Sequence, residues 1–476
     1  GSAAMSTPQR LQRAFARTGI SLDYRDGIYH VRDGQAEAHI LLPDSLPLED
    51  KAVRQLLDFA AVRRLDGQGS HGAVCRACAT PDFHPGTVAP VGSVVATPSD
   101  FVIPAAIGTD SNCSVRLLTT GARLDQLAPH KGRLVELLSA SLLGSGRDVP
   151  VTTAAFRALF DHGPAAFVDR LSGQGLWGHV DRDRLHRELA ACIGLDSFAG
   201  SARHAPHAYL QERHAVFRDP CLGTVGSGNH FVELQVVDEV LDRHAAYRAG
   251  LRAGDVVVMI HSGSRDLGFY VGQAWMDRAR AEWPQGVKHP ASGLYGLSGP
   301  LAGEYLQAMG VAARYAWANR VVLAELVRKD LEQIVGAADS RLVVDVPHNV
   351  VLQQGGMNIH RKGATPANEG DFALIPGSMG DASYLVTGLG AADWLWSCSH
   401  GAGRRMRRQA VRALRPEARA GHSGEQGWQC VTLREERRIE EAPEAYKPIG
   451  PVIESQEAAG LIHAAVKLRP WITFKA

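Results

Sequence analysis

Six short segments rich in glycine, histidine and acidic or thiol side chains lie between Pro81 and Arg405: PDFHPG, GTDSNC, GTVGSGNH, MIHSGSRDLG, VPHN and CSHGAGRR. They supply Asp82 and His84; Asp110 and Cys113; Asn229 and His230; His261; His348; and His400. Imidazole, carboxylate and thiolate groups converging from distant segments could hold divalent metal ions and act on phosphates. Glycine turns beside them would let backbone N–H groups approach an anion. In GTDSNC, Asp110 and Cys113 are three residues apart on a glycine-led turn, close enough to share a metal, and Cys113 could bridge two ions. A donor set of thiolate, carboxylate and imidazole favours zinc, manganese or cobalt over magnesium. GTVGSGNH has the small residues of a phosphate loop but lacks the Lys-Ser/Thr ending of a P-loop, so a simple tight turn explains it equally well.

These segments need strands to carry them. GNHFVELQVV, GDVVVMIH and SRLVVDVPHNV read as strands, each beginning or ending at a histidine, with a long helical stretch from about Gly303 to Ile334 between the last two. Alternation along the first strand puts Asn229, Phe231 and Glu233 on one face and His230 on the other, which places a site near the strand's start. Upstream, LDYRDGIYHVRDG alternates around Asp-Gly turns and LEDKAVRQLLDFAAVRR has helical spacing, which together suggest an N-terminal appendage over residues 5–72. Residues from about 123 to 205 are dominated by helical pattern and read as a helical insertion in a catalytic unit spanning 73–476. Near the end, Arg415 to Gly427 reads as an exposed loop, and QEAAGLIHAAVKLRPWITFKA as a helix followed by a short strand. Separated blocks of strand and helix predict an α+β fold, a mixed β-sheet core flanked by helices with the metal site at strand ends.

With 476 residues, 45% of them hydrophobic and 21% charged, the chain can bury a large core. Its net charge of +1 excludes a global polyanion-binding character, so a nucleic-acid surface must be a local basic patch, for which the run Arg404, Arg405, Arg407 and Arg408 is a candidate. Seven irregularly spaced cysteines do not form a disulfide framework, and no apolar run of about 18 residues is present. A cytoplasmic protein without membrane contact is expected. Gly1 to Ala4, ahead of Met5, read as a cloning scar. Cys75 and Cys78 form a lone CxxC without a second half-site, which points to a structural rather than a metal-binding pair.

The segments GTVGSGNHFVEL, MIHSGSRDLG, HNVV, HRKGATPA, LIPGSMGDASYLV, SHGAGR, EAPEAYK and the terminal LRPWITFKA together resemble the RtcB family of RNA-splicing ligases, in order from about Thr80 to Ala476. The resemblance implies an RtcB-like fold; the sequence leaves the oligomeric state open, with a monomer as the expectation. The resemblance also implies GTP- and Mn²⁺-dependent joining of an RNA 3′-phosphate or 2′,3′-cyclic phosphate to a 5′-hydroxyl, through a lysyl-GMP intermediate and a guanylylated RNA 3′ end. By the same resemblance, Asp110, Cys113, His230, His261 and His348 match ligands of two Mn²⁺ ions, His400 a histidine near the nucleotide, and Lys475 the lysine that becomes guanylylated. Asn229 and Asn349 match phosphate-contacting asparagines; Phe231, Glu233, Ser378, Ser383 and Tyr446 match the guanine pocket; Arg404, in SHGAGR, is a further nucleotide-binding candidate. Asp82 matches an active-site aspartate. RNA is the implied partner, in tRNA splicing or RNA repair, and an archease-type activator a candidate second one. The chain departs from the family where Ser111, Asn112 and Ser114 replace Ile, Gly and Gly, in SCSH before Gly401, and at the terminal Ala476, leaving every matched ligand in place. A lysine attacks a nucleotide α-phosphate only as the neutral amine, a form that neighbouring cations favour. Two other readings compete: a dinuclear metallophosphoesterase acting on RNA ends, which suits the metal set but needs neither Lys475 nor a guanine pocket, and an RNA-binding paralogue with weakened catalysis, against which the retention of every matched ligand argues.

Overall fold

Asp-Gly pairs turn the first strands as their φ preferences require. Strand Ser21–Arg25 folds back on Ile28–Asp33 through Asp26 and Gly27, whose φ values of 54° and 79° suit the tight hairpin turn. The computed structural model describes residues 5–65, 71–212, 215–290, 293–336, 339–402, 427–433 and 449–476. It shows a mixed fold of helices around a β core, with two large sheets.

The first sheet has seven strands in the order Ser21–Arg25, Ile28–Asp33, Ala36–Leu41, Arg76–His84, Val91–Pro98, Met357–Lys362 and Asn349–Gln354. The N-terminal segment expected as an appendage is thus continuous with this sheet. Ala36–Leu41 pairs in parallel with Arg76–His84, His39 opposite Cys78, and helix Asp50–Ala60 buries Val53, Leu56 and Leu57 in the same core. The hairpin signal was local, whereas the pairing that joins it to the sheet lies at long range.

The second sheet carries the candidate site. Its order is Leu342–Pro347, Ser114–Arg123, Asp255–Ser262, Phe231–Val240, Ile462–Lys475, Ser383–Gly388 and Phe372–Ile375, with Gln429–Thr432 added in parallel to Ile462–Lys475. The C-terminal region differs from expectation. The helix is Ile449–Ala458, and the strand after it is not short: it has 14 residues and lies in the body of the sheet. Pro470, which has no N–H for the ladder, sits opposite Gln235 at a register shift, where a bulge tolerates it.

The helix expected near 303–334 runs Pro300–Val335 and is buried on nearly all sides between Ala308 and Val327, including its polar residues Arg314, Asn319, Arg320 and Glu325. It packs against strands Asp255–Ser262 and Ser114–Arg123, and against helices Lys131–Leu142, Thr153–His162 and Arg265–Ala281, so the mostly helical region after Arg123 shares its core. Among the described residues, no helix is long and apolar enough to cross a membrane.

Candidate metal and nucleotide site

Strand register brings the distant histidines together. Pro347 pairs with Ser114, Ser114 with Ser262, and His261 with Phe231, so four neighbouring strands end at one edge of the sheet. The residues at or just beyond these ends are His348, Cys113, His261 and His230. Cys113 Sγ lies 3.2 Å from His230 Nε2 and 3.1 Å from His261 Nε2. His261 Nε2 lies 3.3 Å from His348 Nε2, and His230 Nε2 lies 3.2 Å from Asp110 Oδ2. Two three-residue groups with ligand atoms within 4.8 Å result, Cys113–His261–His348 and Asp110–Cys113–His230. Cys113 belongs to both groups.

The electrostatics of these groups suit a cation. Burial, followed by neighbouring positive charge, pushes His261 and His348 well below the ordinary imidazole range, leaving them in the neutral form that binds metal. Burial and then the Asp110 carboxylate push the Cys113 thiol well up, so only a cation would make a thiolate favourable there. His230 Nδ1 is 3.1 Å from the carbonyl of Val225, which directs Nε2 into the cluster.

His400 stands beside the cluster, its ring centroid 4.7 Å from that of His348. Asp82 is fully buried and accepts from the main-chain N–H of His400 at 3.0 Å, from that of Gly401 at 3.2 Å and from the Thr80 hydroxyl at 2.7 Å. Its carboxylate also meets His400 Nδ1. Burial opposes a charged imidazole here, but Asp82 outweighs it and raises the His400 pKa. These contacts fix the His400 ring through its Nδ1 edge and its main chain.

A pocket of about 420 Å³ opens next to these groups, lined among others by His84, Asn229, Phe231, Glu233, Ser378, His400, Thr473 and Lys475. Glu233 and Thr473 are cross-strand partners, so alternation puts Phe231 and Glu233 of one strand and Thr473 and Lys475 of the next on its wall. Glu233 accepts from the Thr473 hydroxyl and, at 2.8 Å, from Gln235 Nε2. Burial raises its pKa to about 7 against the pull of those bonds and of Lys475. Lys475 is 3% exposed, and its Nζ donates to the carbonyls of Gly228 at 2.8 Å and His230 at 3.0 Å. The amine is thereby fixed between pocket and metal cluster.

Other expected residues are placed differently. Ser383 is buried behind the pocket, accepting from the N–H of Gly377 at 3.1 Å and from Gln235 Nε2 at 3.4 Å. Asn349 does not line the pocket; its amide donates to the carbonyls of Ile107 at 3.1 Å and Asp110 at 2.8 Å, so it braces the metal turn. Tyr446, Arg404, the arginine run that includes it and nearly all of the loop from Arg415 lie outside the described residues. Cys75 is exposed, and Cys78 is buried with its thiol pushed up to about 12 by burial; neither joins a ligand group among the described residues.

Three supporting residues escaped the sequence reading. Asn319 and Arg320, in the middle of the long helix, are buried. The Asn319 carbonyl accepts from the N–H of Gly223 and Thr224, and its amide donates to Thr224 O, Ser262 Oγ and Gly263 O at 3.0–3.2 Å. Arg320 donates to Asn112 O and Ser262 O and is paired with Asp345, which also holds Arg116. The available signal was an Asn-Arg pair set between the apolar runs Tyr315–Ala318 and Val321–Ala324. Arg265, at φ 54°, donates to Thr224 Oγ1 at 3.1 Å, and a Cβ on Gly226 would collide with its guanidinium, which explains that glycine. Asn319→Leu should leave several of these buried groups unpaired. A loss of at least about 2 kcal/mol in unfolding free energy is expected. Equal urea midpoints for mutant and wild type would show that the helix does not hold these loops.

Comparison with known proteins gives the family of the chain. Residues 60–476 match the family model described as RtcB, tRNA-splicing ligase RtcB, starting some way before the first motif that suggested the resemblance. The chain is 32% identical over 475 residues to the tRNA-splicing ligase RtcB of Aeropyrum pernix, covering 91% of this chain and 94% of that protein. It is 32% identical over 468 residues to that of Thermococcus kodakarensis, covering 90% and 92%. It is 29% identical over 510 residues to RNA-splicing ligase RtcB homolog 1 of Entamoeba histolytica, covering 98% and 94%.

Proposed function

The chain belongs to the tRNA-splicing ligase RtcB family of RNA ligases, and from that premise we propose that it joins RNA 3′-phosphate or 2′,3′-cyclic phosphate ends to 5′-hydroxyl ends using GTP and Mn²⁺. The observation that carries this reading is the placement of Lys475 Nζ between the Asp110, Cys113, His230, His261 and His348 cluster and a pocket whose wall holds Glu233. Hydrolysis by a metal-activated water needs no amine nucleophile at that point.

The donor set fits two divalent cations, one between Cys113, His261 and His348 and one between Asp110, Cys113 and His230. When bound, they would neutralise phosphate charge and favour the neutral amine. The protein's own groups do the rest. Lys475 Nζ forms a bond to the α-phosphorus of GTP as pyrophosphate leaves. A 2′,3′-cyclic phosphate is first hydrolysed, water breaking the P–O2′ bond to leave a 2′-hydroxyl and a 3′-phosphate; the 3′-phosphate oxygen then takes the guanylyl group from the lysine, and the 5′-hydroxyl finally attacks that activated phosphorus and expels GMP. His400, held by Asp82, is placed to orient or protonate phosphate oxygens. Asn229 reaches the same space as a neutral donor. Incubation with Mn²⁺ and labelled GTP tests the reading, with a covalent protein–GMP adduct expected and its absence counting against a ligase. The seven free cysteines suit a reducing, cytoplasmic setting.

Glu233 gives the pocket a reason to select guanine. An ionised carboxylate accepts from guanine N1–H and the 2-amino group, whereas adenine presents an acceptor at N1. Mismatching a buried polar partner costs about 1 to 3 kcal/mol, roughly tenfold to a hundredfold in discrimination. The Glu233 pKa of about 7 sets a direction with pH: above it the carboxylate is charged and the preference for GTP over ATP is full, and below it protonation erodes the preference. Glu233→Gln should narrow the ratio in adduct formation and flatten its pH dependence. A ratio unchanged by substitution would remove Glu233 from base recognition.

A further inference from the structure

At the end of the second sheet remote from the metal cluster, a groove is lined by Arg243, Arg248, Arg252 and Arg341 without a carboxylate among its lining residues. Strand Phe231–Val240 starts at the candidate site and ends at this groove, so the two are separated by roughly 30 Å of strand. The arginines come from three places. Arg243 and Arg248 lie on the short helix Arg243–Ala249, Arg252 on the turn after it, and Arg341 just ahead of strand Leu342–Pro347. Gly250, at φ 71°, ends the helix, and buried Leu251 returns its N–H to Ala246 O, fixing the turn that carries Arg252. Arg248 is held 3.8 Å over the Phe372 ring and donates to Gly370 O at 2.8 Å.

Guanidinium groups stay charged at any physiological pH, so gathering four of them calls for an anion. Of the carboxylates nearby, Asp242 caps the helix through the N–H groups of His244 and Ala245, Asp255 pairs with Arg123 and accepts from the main-chain N–H of Arg252, and Asp371 lies close enough to Arg248 to feel its charge, which leaves Arg243 and Arg252 as the guanidinium groups open to an anion. Arg341 meets Asp339 at 3.1 Å in a solvent-exposed pair, which an incoming phosphate can displace. Arg243 and Arg252 have no side-chain ion pair among the described residues. Beside them Tyr247 stands 87% exposed, an aromatic face with no use in the fold.

We propose that this groove binds the phosphate backbone of the RNA body at a distance from the reacting ends, with Tyr247 stacking on an unpaired base. The proposal rests on the ligase reading only for the choice of RNA as the polyanion. The test uses the full chain and a fluorescein-labelled RNA stem-loop with a 3′-phosphate, its anisotropy followed between about 50 and 200 mM salt. Replacing Arg243 and Arg252 together by Ala should weaken binding at least about tenfold at the low end and reduce the slope of log K against log salt by about 1.4, two phosphate contacts at about 0.7 each. Tyr247→Ala should weaken binding with the slope unchanged. Discharge of the covalent GMP adduct by a dinucleotide 3′-phosphate, too short to reach the groove, should be unaffected in both variants. Unaltered affinity and slope for the stem-loop would overturn the proposal, as would an equal loss with the dinucleotide. A wild-type protein that binds the stem-loop through these arginines but forms no GMP adduct would overturn the ligase reading and keep the groove.

Discussion

Lys475→Ala is expected to abolish the covalent GMP adduct and all joining of 3′-phosphate ends. The phosphoramidate needs a neutral amine at the pocket, and Lys475 Nζ is already held there by the carbonyls of Gly228 and His230. Lys475→Arg should fail equally, because a guanidinium remains protonated and is not a nucleophile. Removing the side chain leaves two carbonyls with one donor fewer, a cost of about 1 to 3 kcal/mol that a chain of this size can absorb. Thermal melting separates that effect from the chemical one. RNA supplied with a preformed guanylylated 3′ end should still be sealed by the variant, which would confine Lys475 to the first chemical step. Accumulation of protein-bound GMP in Lys475→Ala would show that another group is the nucleophile.

What made the site legible was the association of motif histidines with strand ends. MIHSGS and VPHN each follow an apolar run, and the structure places His261 and His348 at the ends of strands that both pair with Ser114–Arg123. Which strands are neighbours was not legible, because the pairings of Ser114 with Ser262 and of Phe231 with His261 are long-range choices that no local pattern encodes. The C-terminal segment shows the same limit. AAGLIHAAVK carries helical spacing, yet from Ile462 onward it pairs on both sides in a sheet, and tertiary pairing overrides local preference there. Polar residues were read by type rather than by partner. The Asn349 amide nitrogen donates to the carbonyls of Ile107 and Asp110, while Asn319 and Arg320, hidden in a helix, hold the Gly223–Thr224 loop and the turns at Asn112 and Ser262. A sequence shows that an amide is present, and only the packed chain shows where its hydrogen bonds go.

Cys113→Ser is expected to weaken divalent-metal binding far more than Cys78→Ser, though both thiols are buried. Only Cys113 Sγ lies within reach of His230 and His261 and takes part in both ligand groups. A serine hydroxyl stays protonated near neutrality, so the variant loses the anion that would balance two cations at once, and a single substitution damages both sites. Affinity should fall at least about tenfold, because in other metal centres the loss of a group that merely orients a ligand already reaches that range. Co²⁺ is a direct probe: thiolate-to-metal charge transfer should be present in wild type and in Cys78→Ser, and absent in Cys113→Ser. Mg²⁺ should replace Mn²⁺ poorly in adduct formation, since it prefers oxygen ligands in near-ideal octahedral geometry over thiolate and imidazole. If Cys113→Ser and Cys78→Ser titrate alike with Co²⁺, the shared position of Cys113 is a feature of packing and the bridging role is wrong.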